Sequence, residues 1–156
     1  MKNHTSFKIG GKVDYFVSPA NITQLKAVIE ELKSCEIPYF IIGKGSNLLV
    51  SDNGIEGAVI SLAGFDEMSV CDNTVTVGAG ATLARLCTFA RDNSLSGLEF
   101  AYGIPGSVGG ALYMNAGAYG GEMADVVFEA QFITPNGEVG TIEKLDMNLG
   151  YRTSCI

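Results

Sequence analysis

Apolar positions recur along the chain in two rhythms, and the switch between them marks out the elements. Val13 to Val17 is a short β-rich run stopped by Ser18-Pro19. Ile22, Leu25, Val28, Ile29 and Leu32 then recur at helical spacing to about Lys33, with Asn21 placed to cap the helix start. Pro38-Tyr39-Phe40-Ile41-Ile42 is a continuous apolar run leading into Gly43, which predicts a βαβ unit whose strands are buried on both faces. A third strand is predicted at Ala58 to Leu62. Between Met68 and Val77 two strand-like runs flank the polar turn Asp72-Asn73, the pattern of a hairpin. Thr82 stands ready to cap a second amphipathic helix with Leu83, Leu86, Cys87 and Ala90 on one face.

Further on, Gly97 to Gly121 is rich in Gly and Ala, with a short helix predicted from Pro105 or Gly106 to Met114. Val126 to Thr134 and Glu138 to Ile142 flank Pro135-Asn136-Gly137, whose Asn-Gly step favours a hairpin turn. A change of character near Gly64 to Asp66 divides the chain into residues 1–65, βαβ-like, and residues 66–156, α+β. The 156 residues, 47% of them apolar, suit one compact unit or two small subdomains sharing a core. The last stretch, Leu149 to Ile156, turns apolar and ends without a polar tail.

Composition narrows the function classes. The formal net charge is −7 with no Lys/Arg run, which argues against a nucleic-acid or anionic-membrane partner. Phosphate remains open to it, because backbone N–H groups in Gly-rich turns bind anions without side-chain charge. Gly makes up 20 of the 156 residues, nearly double the usual ~7%. Cys35, Cys71, Cys87 and Cys155 form no Cys-x-x-Cys pair and His4 is the single histidine, so no zinc site is expected and the thiols read as reduced. With no charged leader before an apolar segment and no run near the ~18 residues of a membrane span, the expected location is the cytoplasm.

Two Gly-rich segments carry the candidate chemistry. Gly43-Lys44-Gly45-Ser46-Asn47-Leu48 follows a strand and can aim successive N–H groups at a phosphate. It is no Walker A loop, since Gly-Lys is not followed by Ser or Thr, and Leu48 occupies the third Gly of a Rossmann fingerprint. By itself it also fits an ordinary tight turn. Gly103-Ile104-Pro105-Gly106-Ser107-Val108-Gly109-Gly110 and Asn115-Ala116-Gly117-Ala118-Tyr119-Gly120 surround the short helix. From Gly97 to Ala124 there is no Lys or Arg, only Glu99 and Glu122. A diphosphate here would meet backbone N–H groups and the helix start near Gly106; the alternative use of so many small residues is close helix–sheet packing.

Together with His4-Thr5-Ser6-Phe7-Lys8-Ile9-Gly10-Gly11 and the closing Tyr151-Arg152, these motifs resemble, in order and over essentially the whole chain, UDP-N-acetylenolpyruvoylglucosamine reductase. The resemblance implies a two-subdomain α+β FAD-binding domain of the vanillyl-alcohol oxidase and p-cresol methylhydroxylase type. It implies that Gly43, Lys44, Gly45, Ser46, Asn47 and Leu48 line the pyrophosphate of noncovalent FAD. Gly103, Ile104, Pro105, Gly106, Val108, Gly109, Gly110, Asn115, Ala116, Gly117 and Ala118 would line the rest of the cofactor, leaving His4 without a flavin link. In that family NADPH is the hydride donor and the enolpyruvyl ether of UDP-N-acetylglucosamine becomes UDP-N-acetylmuramate, a step of peptidoglycan synthesis. Arg152 matches the catalytic arginine, with Tyr151 and Tyr119 lining the substrate pocket.

The pattern is also broken in two places. Lys12-Val13 follows the leading Gly10-Gly11 where Pro-Ala is usual. The family's proton-donating serine and its acidic partner belong to a substrate domain expected after Arg152, and neither Ser154 nor Ser107 matches that serine. The expectation is a chain truncated before that domain and inactive alone, binding the UDP-sugar only when the domain is supplied. The alternative is a stand-alone non-catalytic flavin-binding or partner-binding module.

Overall fold

The computed structural model describes residues 1–156. Strand β1 (Val13–Val17) leads into helix α1 (Ile22–Ser34), strand β2 (Tyr39–Ile42) and strand β3 (Ile55–Ser61). The three strands form a parallel sheet in the order β1-β3-β2. The Asn21 side chain caps α1 by accepting from Gln24 N–H at 3.0 Å, and Leu25, Ile29 and Leu32 pack its inner face on Ala58 and Ile60 of β3. Each such aliphatic side chain, when fully buried, is worth roughly 1.5–3 kcal/mol. On the other face of the sheet Met1, Ile42, Val50 and Val59 make a second small core. The expectation that the strands are buried on both faces holds for β3 alone. β2 is an edge strand, and Phe40 and Ile41 remain exposed because one flank has no neighbour to cover them.

The hairpin of β4 (Met68–Cys71) and β5 (Thr74–Val77) turns at Asp72-Asn73, with Asp72 in the left-handed region. Helix α2 (Leu83–Asp92) follows, capped by Thr82 Oγ1, which accepts from Arg85 N–H at 3.3 Å. Its Leu83, Leu86, Cys87 and Ala90 are all buried, in the largest core, with Phe100, Ala101, Val108, Ala111, Ala116 and Met123. The short helix α3 (Val108–Tyr113) begins later than predicted, because Ser107 is its cap and Pro105 and Gly106 lie outside it.

Five elements fall beyond the predicted set: the two-residue strands β6 (Gly117–Ala118) and β7 (Gly121–Glu122), one turn of helix, α4 (Met123–Val126), and two 3₁₀ turns at Glu99–Ala101 and Lys144–Asp146. Val126 therefore ends a helix instead of opening a strand, and the last hairpin runs from β8 (Glu129–Ile133) to β9 (Val139–Glu143). That hairpin reaches back to α1. Ile133 packs against the α1 cluster, and Lys33 Nζ donates to Asn136 Oδ1 at 2.6 Å.

Candidate functional site

The loop after β2 is held from behind. Ser6 N–H donates to the Gly45 carbonyl at 3.1 Å, Gly45 sits at φ +63°, and a Cβ there would overlap the His4 carbonyl oxygen. His4 itself stacks on Phe16, ring centroids 3.8 Å apart, and takes no part in the loop's open side. With the Gly45 carbonyl turned inward, none of the backbone N–H groups from Gly43 to Leu48 donates to a protein acceptor. Lys44 and Asn47 are exposed, while Leu48 packs against the Met1 cluster. A row of unspent donors after a strand is the chemistry of an anion cradle.

The second Gly-rich segment lies directly against the first. Ser107, 3% exposed, caps α3 by accepting from Gly110 N–H at 3.4 Å, and its Oγ fills the space a Cβ on Gly43 would need. From the other side, a Cβ on Gly106 would meet Ser46 Oγ at 3.6 Å. Residues 79–83, absent from the predicted site, bind the second segment in place. Gly109 N–H donates to Ala79 O at 2.8 Å, Val108 N–H to Ala81 O at 2.8 Å, and Leu83 N–H to Gly106 O at 3.1 Å. Gly78-Ala79-Gly80-Ala81 carries the same small-residue signature and could have been read with the rest.

Not every residue of the segment faces the open side. Val108 and Ala116 belong to the α2 core, Ile104 packs on it, and a Cβ on Gly109 would press on Ala79 at 2.9 Å. Close packing therefore explains part of the glycine content; Gly103 and Gly120 have open space beside them, and Gly106 meets only Ser46 Oγ at ordinary contact distance.

At the far end of α3, about 9 Å along its axis by helical rise, an open cleft of ≈ 460 Å³ lies among Asn115, Gly117, Ala118, Glu122, Tyr151 and Arg152. Tyr119 is 95% exposed beside it, at φ +53°. Gly150 and Thr153 exchange backbone hydrogen bonds, so Tyr151 and Arg152 are the corners of a tight turn, with Arg152 at φ +56°. Non-glycine residues in this region are uncommon and cluster where function holds them. The Arg152 guanidinium carbon lies 5.7 Å from the Tyr151 ring centroid, and Arg152 has no ion-pair partner. The two acids nearby are engaged elsewhere: Asp125 Oδ2 accepts from Glu122 N–H at 2.9 Å, and together they form the capping box of α4. Arg152 is the cation free to meet an incoming anion at this rim.

The parallel sheet with α1 and the α+β elements that follow bring two Gly-rich loops into contact, one of them with a run of N–H groups that meet no protein acceptor, an architecture of the dinucleotide-binding α+β class. The matching family model is the FAD binding domain, over residues 13–143, and the chain belongs to that family. Over its whole length the chain is 48% identical to the UDP-N-acetylenolpyruvoylglucosamine reductase of Clostridium tetani and 53% identical to that of Alkaliphilus oremlandii. It covers 51% and 52% of those proteins, so the chain spans about half the length of the curated relatives it matches. The crystal structure of UDP-N-acetylenolpyruvylglucosamine reductase from Thermus caldophilus superposes with a TM-score of 0.81 at 36% identity, over 99% of this chain and 55% of that one. p-Cresol methylhydroxylase shares the fold at a TM-score of 0.64 and 18% identity, over 86% of this chain and 28% of that one.

Proposed function

We propose that this chain is the FAD-binding portion of a cytoplasmic UDP-N-acetylenolpyruvoylglucosamine reductase, with subdomains at residues 1–65 and 66–156 meeting at the two Gly-rich loops. The observation that carries this reading is the row of N–H groups from Gly43 to Leu48 that meet no protein acceptor, in a loop packed beside Gly106 and Ser107, in a chain similar over its full length to such reductases. Those groups fit a diphosphate: they supply donors without a basic cluster, each charge-assisted bond being worth ~1.5–3 kcal/mol. Gly103 to Gly110, with Ala116, Gly117 and Ala118, would flank the remainder of noncovalent FAD.

Bound FAD supplies hydride transfer between NADPH and the enolpyruvyl ether. Arg152, held at the corner of its turn and unpaired, would bind the substrate's carboxylate and stabilise charge developing on the adjoining carbon, a role suited to a guanidinium that stays charged. Tyr119 and Tyr151 would wall the pocket. The proton for that carbon would come from a residue outside this chain, since no serine here matches the proton donor of the resembling reductases.

The reading is tested by supplying the second half of a relative, fused or in trans, and measuring NADPH-dependent formation of UDP-N-acetylmuramate. Turnover is expected with the added half and none from the 156-residue chain alone, and Arg152→Ala should depress kcat by roughly 10²–10⁴-fold, the scale of a lost transition-state contact. Full turnover by the chain alone would overturn this reading.

A further inference from the structure

We propose that Asn115 is a positioning residue that locks the Tyr151-Arg152 turn onto the end of α3, and not a ligand of the cofactor; the importance of that turn rests on the reading given above. Asn115 is 2% exposed and sits at φ +40°, a conformation Asn tolerates better than most residues. Its amide is bonded at both ends to the protein backbone. Nδ2 donates to Gly150 O at 3.1 Å, and Oδ1 accepts from Ala124 N–H at 2.9 Å. One side chain thus ties the start of α4 to the first residue of the Arg152 turn, which requires a donor and an acceptor on the same group.

Gly150 O is a shared acceptor, since it also takes the Thr153 N–H that closes the turn. The second side-chain tie is Ser154 Oγ, which donates to Tyr113 O at 2.8 Å. Residues 113 and 115 therefore set where the turn sits, and with it the origin of the exposed Arg152 side chain. A left-handed Arg152 is unfavourable by itself and persists only where neighbouring bonds over-determine the turn. Asn115 supplies the buried one of those bonds.

Asn115→Asp separates positioning from general packing. The carboxylate still accepts from Ala124 N–H and tolerates φ +40°, but it cannot donate to Gly150 O. Amide hydrogen exchange by NMR on the 156-residue chain should show protection at Gly150, Thr153 and Cys155 falling by roughly 10-fold at neutral pH, the scale of one lost buried hydrogen bond. The α2 amides should keep theirs. On acidification the protonated carboxyl regains an O–H donor, and protection at the turn should return. Asn115→Gly keeps the backbone conformation, loses both bonds and should loosen the turn without recovery in acid. It supplies the comparison if the Asp chain fails to fold.

Unchanged protection at the turn in either folded variant would overturn the proposal. So would a uniform loss across the chain, or reduced FAD affinity in Asn115→Asp with an undisturbed turn, which would return Asn115 to the cofactor site. Titration of the unsubstituted chain with FAD tests the functional reading separately. A chain that ignores FAD yet shows the pH-reversible turn would retain the positioning role and remove the reading it serves.

Discussion

Ser107 Oγ lies against the Gly43 backbone, in the space a Cβ on residue 43 would occupy. This contact sets the spacing of the two Gly-rich loops, and it couples the cap of α3 to the opening turn of the donor row. Gly43→Ala should force the loops apart and weaken FAD binding by roughly tenfold or more, the scale of one charge-assisted hydrogen bond. Ser107→Gly in that background should recover part of the loss, because Gly is itself a tolerable N-cap, within a few tenths of a kcal/mol. The coupling is read from a double-mutant cycle on FAD affinity, and strict additivity would show that the contact does not set the spacing.

Gly45 and Gly106 are expected to behave differently although both lie in the cradle. Gly45→Ala meets the His4 carbonyl at a positive φ, so it should lower the melting temperature as well as FAD affinity. Gly106→Ala meets only Ser46 Oγ at ordinary contact distance. It should melt within about 0.5 kcal/mol of the unsubstituted chain while filling the gap between the loops and weakening FAD. Thermal melts with flavin titrations on both variants check the contrast.

Much of this was legible in the sequence because it depends on local pattern. The Asn21 and Thr82 caps, the buried face of α2 and the Asp72-Asn73 turn all follow from residues a few positions apart. The pairing order is not local: Phe40 and Ile41 read as buried, and only the placement of β3 between β1 and β2 shows that they lie on an edge. Gly117 to Val126 has neither alternation nor a helical period long enough to register, so β6, β7 and α4 were invisible. At the site, the glycines announced close approach, but that Gly43 meets Ser107 and that Asn115 holds Gly150 are long-range facts.

The four thiols should divide three to one. Cys35, Cys71 and Cys155 are exposed, whereas Cys87 is buried and its S–H donates to Leu98 O at 3.2 Å. A thiol reagent should modify the exposed three quickly and Cys87 only on unfolding. Burial pushes the Cys87 thiol above its ordinary value, and the Glu99 carboxylate pushes the same way, against the lowering effect of a backbone hydrogen bond. The stability this neutral thiol contributes is full below the unfolded thiol's pKa, near ~8.5, and is lost as pH rises through the higher folded value. Melts between neutral and alkaline pH should therefore fall more steeply for the unsubstituted chain than for Cys87→Ala. Equal slopes would contradict the assignment.

If the Gly-rich loops bind FAD through backbone donors, the purified 156-residue chain must take up FAD by itself, and a titration of that chain with FAD decides it. Saturable one-to-one binding is expected, with flavin absorption carried by the complex and complete release of the flavin on denaturation. Binding should weaken in Gly106→Ala without loss of fold. An absence of saturable binding, flavin retained on the denatured chain, or undiminished affinity in the folded Gly106→Ala variant would contradict it.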